Sequence, residues 1–101
     1  MRRQKSDYVI QTVTNALRLL EEFRYVDQLG VTALAKRLSL HKNNVFRLLA
    51  TLEEMGFVEQ LGENGDYRLA GACLELGHAF ARARSLTRLA RSVLEGVARE
   101  T

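Results

Sequence analysis

Apolar side chains recur at helical spacing in five blocks of this chain, and between the third and fourth blocks the period shortens to two. Val13, Ala16, Leu17, Leu20 and Phe23 form a stripe on a helix expected from about Ile10 to Tyr25. Leu34, Ala35 and Leu38 mark a second helix, Thr32 to Leu38. Val45, Leu48, Leu49 and Leu52 mark a third, Lys42 to Met55, at the i, i+3, i+4, i+7 steps that line one side of a helix. Phe57 to Leu61 and Asp66 to Ala70 alternate instead, as half-buried strands do. Helical spacing returns with Leu76, Ala79, Phe80 and Ala83 between Ala72 and Arg84, Cys73 and Leu74 lying beside them. Leu86, Leu89, Ala90, Val93, Leu94 and Val97 repeat in a last helix, Leu86 to Arg99, whose polar face carries Arg91, Glu95 and Arg99 at i, i+4 steps.

Residues with turn and capping chemistry fall between these blocks. Thr12, or a polar residue before it, starts the first helix; Gly30 permits a turn, Val31 is expected to add a residue or two of strand, and Thr32 can cap the second helix. Gly56 is a stop signal for the third helix, Ser85 a cap for the last, and Asn64-Gly65 a hairpin signal because both residues tolerate positive φ. The pattern predicts a mainly α fold with a small β-hairpin. Two short, tightly joined helices make a helix-turn-helix, and a hairpin directly after the second makes a winged helix. Residues 1–8, with Arg2, Arg3 and Lys5, are expected as a flexible basic arm, residues 9–70 as the winged helix-turn-helix, and residues 71–101 as two amphipathic helices with little protein to bury them. Tyr8, Val9, Leu19 and Val26 fall partly outside the first stripe, so Leu19 is a candidate for a dimer contact or for burial under the wing.

The third helix carries the candidate chemistry. At 100° per residue the side opposite its apolar stripe presents Asn43, Phe46, Arg47 and Ala50, flanked by Lys42 and Asn44, with His41 at the helix start. Asn pairs with adenine, Arg with guanine, a ring can touch a thymine methyl and Lys holds phosphate. No Asp or Glu occurs between Asp27 and Glu53, whereas Lys36, Arg37, Lys42 and Arg47 all fall there, in a chain that is 27% charged. Residues 1–50 carry nine Lys/Arg against four Asp/Glu, or +5, and residues 51–101 carry six against eight, or −2, which sum to the net +3. Basic character therefore belongs to the half that holds the candidate reading helix. Thr32, Lys36, Arg37 and, on the wing, Arg68 are candidates for phosphate contacts, a salt-bridged Arg68 being the plainer alternative. The contrasting view is that these are solvated faces of amphipathic helices.

Composition narrows the classes. At 101 residues and 47% hydrophobic, the chain suits one folded domain. Cys73 has no second cysteine to pair with and reads as a small apolar residue on a helix. No run of apolar residues reaches the length of a membrane span, no signal sequence opens the chain, and a cytoplasmic protein is expected. Neither metal nor cofactor is expected, and neither His41 nor His78 has a nucleophile or an acid at catalytic spacing. Glu21-Glu22 and Glu53-Glu54 are adjacent pairs that point to different sides of their helices, so an enzyme is disfavoured. Two rivals remain: a winged helix for protein-protein contact, which predicts an apolar outer side on the third helix, and binding of RNA or of DNA without sequence preference.

Leu40-His-Lys-Asn-Asn-Val-Phe-Arg-Leu-Leu49, Leu52-Glu-Glu-Met-Gly-Phe-Val58, Tyr67-Arg-Leu69, Leu74-Glu-Leu-Gly77 and Ala98-Arg-Glu-Thr101 together resemble the N-terminal DNA-binding domain of the IclR family of bacterial transcription factors, from about Val9 onward. The resemblance implies a winged helix-turn-helix followed by a linker helix, dimerisation partly through that linker with Leu76, Ala79, Phe80 and Ala83 as candidates, and pseudo-palindromic double-stranded operators. It also implies a small-molecule effector bound only by a separate C-terminal domain, which would begin near Ala98–Thr101, so that this chain would be part of a longer protein. The sequence departs from the family pattern at His41, often Pro, and at Asn43 and Asn44, where small hydroxyl residues are usual. Those departures unsettle any inherited operator sequence while leaving the fold intact.

Overall fold

The computed structural model describes residues 4–94. Arg2 and Arg3 of the expected arm, and Val97 through Thr101 with the expected start of an effector domain, lie outside the described residues. After a 3-10 turn at Lys5–Tyr8 come α1 (Gln11–Glu21), α2 (Val31–Leu38), α3 (Lys42–Glu54), β1 (Val58–Gln60), β2 (Tyr67–Leu69) and α4 (Gly71–Leu94). Within the basic arm the Asp7 carboxylate accepts from the Gln4 amide at 3.1 Å, and the Asp7 amide donates to the Gln4 carbonyl at 3.0 Å.

The core collects one side of each short helix. Leu34, Ala35 and Leu38 of α2 and Val45, Leu48 and Leu49 of α3 are buried together with Leu19, Phe23, Leu29, Val58 and Tyr67. Among the described residues no buried side-chain nitrogen or oxygen lacks a partner. Between α2 and α3 the chain reverses at Ser39, which sits in the left-handed region at φ 56° and ψ 46°. There the Ser39 amide donates to the Lys36 carbonyl at 3.3 Å, and the Leu40 amide to the Ala35 carbonyl at 3.0 Å. These bonds satisfy carbonyls that the end of α2 would otherwise leave open.

The wing is an antiparallel pair in the register Val58↔Leu69, Glu59↔Arg68 and Gln60↔Tyr67. Besides burying Val58 and Tyr67 in the shared core, it is joined by a β-bridge to the chain before α2: the Leu29 amide donates to the Tyr67 carbonyl at 3.0 Å and the Tyr67 amide to the Leu29 carbonyl at 2.8 Å. The expected hairpin at Asn64-Gly65 exists, but positive φ falls on Gly62 (82°) rather than on Asn64 or Gly65. The Leu61 amide bonds the Asp66 carbonyl at 2.8 Å, closing a longer loop than a two-residue turn. Gly65 is required by proximity, since a Cβ there would sit 1.6 Å from the Leu61 carbonyl oxygen.

Several expectations are corrected. On α1, Val13 and Leu17 are 53% and 56% exposed, whereas Leu19 is 0% exposed and Phe23 is buried. Ala16, Leu20 and Phe23 of the expected stripe do face the core, but Leu19 completes the buried side in place of Val13 and Leu17. Leu19 is therefore a core residue and no dimer contact. The helix ends at Glu21, because the Glu22, Phe23 and Arg24 amides turn back to carbonyls three residues earlier. Gly30, not Thr32, is the N-cap of α2, and Val31 is its first residue rather than strand. Ser85 breaks nothing: the two helices expected on either side of it form one, α4. Without a Gly or Pro at that point the backbone has no reason to leave the helix. The side chains of the Leu86-to-Val97 stripe lie outside the described residues.

A non-glycine residue in the left-handed region costs about 1–3 kcal/mol. Ser39→Gly is expected to raise stability by about 0.5–1 kcal/mol after the extra freedom of the unfolded chain is offset, shifting the thermal midpoint upward by a few degrees, roughly 4–8 °C per kcal/mol. Thermal denaturation checks this, and a midpoint that falls would contradict the strain assigned to Ser39.

Candidate nucleic-acid interface

Burying Val45, Leu48 and Leu49 leaves the far side of α3 to solvent. Lys42, Asn43, Asn44, Phe46, Arg47 and Ala50 are all exposed, and Phe46 keeps 51% of its surface open. His41 caps α3 by its backbone conformation alone, with no side-chain cap bond, and no acid lies in the first turn of either α2 or α3. The amides and positive dipole end of α3 meet no carboxylate in its first turn, the condition that favours an approaching anion, whereas the start of α2 has the Asp66 carboxylate beside Gly30, 2.8 Å from where a Cβ would sit.

Two hollows border this face, and their chemistry differs. One, of about 250 Å³, lies between α1 and α3 and is lined by Thr12, Asn15, Asn44, Arg47, Leu48 and Thr51, with no acid in the lining. The other, of about 660 Å³, lies between the wing turn, the chain from Gln28 to Ala33, and Phe46. Glu63 and Asp66 belong to its lining and no Lys or Arg does. Thr32 sits in this second hollow, so its expected phosphate contact would be made beside two carboxylates.

Two of the expected phosphate ligands already have partners. Arg37 Nη1 is 3.3 Å from Glu22 Oε1, tying α2 to the end of α1. Arg68 Nε donates to Glu59 Oε2 at 2.6 Å across the wing strands, so the plainer alternative for Arg68 is the one observed. Both pairs keep a third or more of their arginine surface exposed, and such pairs contribute only about 0–1 kcal/mol, so each can rearrange. Lys36 and Lys42 are exposed and form no ion pair within the described residues.

Burial, with the Glu53 carboxylate adding to it, pushes the Tyr67 phenol above its ordinary range. Burial likewise pushes the Cys73 thiol up, and its Sγ lies 3.4 Å from the Phe57 carbonyl it donates to, an unreactive packing role. Among the described residues no group of His, Cys, Asp and Glu is placed to hold a metal, and no helix is long and apolar enough to cross a membrane. Thr12 and Asn15, two polar residues three apart on α1, line the hollow beside α3, and sequence reasoning assigned them no role there beyond a helix start for Thr12.

A helix-turn-helix with a hairpin behind it and a bare basic-and-amide face on its second helix defines a winged helix-turn-helix DNA-binding domain. Residues 12–62 match the IclR helix-turn-helix domain, and the chain belongs to that family of transcriptional regulators. It is 33% identical over 94 residues to the HTH-type transcriptional regulator XynR of Escherichia coli, covering 92% of this chain and 37% of that protein. It is 29% identical to the transcriptional repressor IclR of the same organism, covering 91% of this chain and 34% of that one. The crystal structure of an IclR family transcriptional regulator from Brucella abortus superimposes with a TM-score of 0.69 at 27% identity, over 79% of this chain and 31% of that chain. A transcriptional regulator from Alicyclobacillus acidocaldarius superimposes at 0.67 and 32% identity, over 78% of this chain and 31% of that chain. The chain spans about a third of the length of these relatives, which are regulators of transcription rather than enzymes.

Glu22→Gln tests the Arg37 pair. It is expected to cost less than about 1 kcal/mol of stability while raising affinity for any duplex, because it frees Arg37 and removes a carboxylate. Urea denaturation and fluorescence anisotropy report the two effects; unchanged duplex affinity would leave Arg37 outside the interface.

Proposed function

We propose that this chain reads operator DNA as a homodimer, with α3 in the major groove and the wing alongside the backbone. An α-helix is about 10–12 Å across and the major groove about 12 Å wide, so a helix with one side bare can enter it. The observation that carries the reading is that bare side: Asn43, Arg47 and Ala50 are exposed in a stretch without acids. Asn43 and Arg47 specify bases, Phe46 and Asn44 adjoin them, and Lys42, Lys36 and Arg37 hold phosphates, with His41 and Thr32 at the two helix starts. The wing contributes less than its position suggests, since Arg68 is engaged by Glu59 and the wing turn carries Glu63 and Asp66. A protein-docking winged helix would want an apolar outer side, and of the four outward residues only Phe46 is a large apolar one.

Dimerisation through α4 is supported by Leu76, Ala79, Phe80 and Ala83, which are exposed on that helix; the Phe80 ring has the Arg84 guanidinium 4.9 Å above it. Exposed apolar side chains on a long helix favour a second apolar surface. Two copies would place their α3 helices on half-sites spaced by about 34–36 Å or a multiple of it. An effector-binding region joined through α4 would act by changing that spacing, and the protein would work in the cytoplasm, where its operator is.

Selection of bound sequences from random duplexes is expected to return a two-fold symmetric motif. Against that motif Arg47→Ala should cost about 1–3 kcal/mol and relax one base position, whereas Lys42→Ala should weaken all sequences alike and lower the log-log salt slope by about 0.9. Equal loss on every duplex for Arg47→Ala would remove it from base reading.

A further inference from the structure

The furrow between α1 and α3 has a composition that the recognition helix alone does not explain. Of its six lining residues, Thr12 and Asn15 come from α1, Asn44, Arg47 and Thr51 from the outer flank of α3, and Leu48 is apolar core. Arg47 supplies a positive charge, and no lining residue is acidic. The hydrogen bonds already made leave specific donors open. Gln11 Nε2 donates to Asn15 Oδ1 at 3.0 Å, which occupies the acceptor end of that amide and leaves its NH2 group to donate. Thr51 Oγ1 already donates to the Arg47 carbonyl at 3.0 Å, so Thr51 shapes the furrow rather than binding in it. The donors that remain are the Thr12 hydroxyl, the Asn15 and Asn44 amides and the Arg47 guanidinium. At about 250 Å³ the furrow is open to solvent and has room for roughly eight waters.

A duplex lying on α3 has a sugar-phosphate strand along each wall of its major groove. The hollow on the wing side of α3 is lined by Glu63 and Asp66, whereas the furrow on the α1 side has no acid in its lining. We propose that the α1–α3 furrow seats a backbone phosphate of the bound DNA, with Thr12 and Asn15 of α1 donating hydrogen bonds to its oxygens. Contact with α1 fixes how deeply α3 sits, and it holds Arg47 beside the bases with its neighbour Asn44. The inference rests on the DNA-binding reading above and extends the interface to a helix outside the helix-turn-helix.

Two variants of the full chain test it. Thr12 and Asn15 are neutral and displace no counterions, so a Thr12→Ala, Asn15→Ala double variant should bind about ten-fold more weakly to selected and scrambled duplexes alike, with an unchanged salt slope. Thr12→Glu should weaken binding further through repulsion of the phosphate, while the thermal midpoint holds or rises, because Thr12 lies in the first turn of α1, where an anion suits the helix dipole. A purely structural role for Thr12 would move stability and leave affinity alone. Wild-type affinity in Thr12→Glu would overturn the furrow assignment and leave the DNA reading standing. A wild-type chain that binds no duplex at low salt would overturn both.

Discussion

Everything functional in this domain depends on which side of α3 the core takes. Val45 and Leu49 are fully buried, and Leu48 is nearly so, against the apolar sides of α1, α2 and β1. Removing one of these leucines would open a cavity and cost about 2–5 kcal/mol, a large part of what a domain this size has. A helix is rigid about its axis at 100° per residue, so seating those three side chains fixes Asn43, Arg47 and Ala50 on the solvent side. The helix is held by what it buries, and it can offer DNA only what remains.

The faces beside α3 then differ by charge. Toward the wing there are two carboxylates and a paired arginine, toward α1 there are hydroxyl, amide and guanidinium groups. A negatively charged ligand feels that difference before it makes any contact, since repulsion from Glu63 and Asp66 and attraction to Arg47 both act over about a Debye length. The domain would therefore be tilted on its ligand toward the α1 side. Hairpin geometry makes a wing, but the residues at its turn decide how firmly it grips.

How much could be read beforehand follows from where one period had a single solution. The apolar positions of α3 admit one stripe, and its exposed face was legible residue by residue. On α1 the apolar residues fit two overlapping stripes, and only the position of α2 and α3 chooses 16-19-20-23, which decides for Leu19 between dimer contact and burial in favour of burial. The wing strands were legible to within a residue, yet the loop between them uses Gly62 for positive φ, and no local rule ranks Gly62 above Asn64-Gly65. Ser39 in the left-handed region gave no signal, because serine seldom goes there without tertiary support. Ser85 resembled a cap only because the apolar period restarts after it. The partners of Arg37 and Arg68 lie 15 and nine residues away, so their availability depends on the fold.

The most direct test of the central claim is a map of backbone amide chemical-shift changes as a short DNA duplex is titrated into the chain at low salt. The account predicts the largest changes at Asn43, Asn44, Arg47 and Ala50, with changes in the first turn of α1 and small ones at the wing turn and along α4. Changes confined to α4, or to the wing with α3 silent, would contradict it.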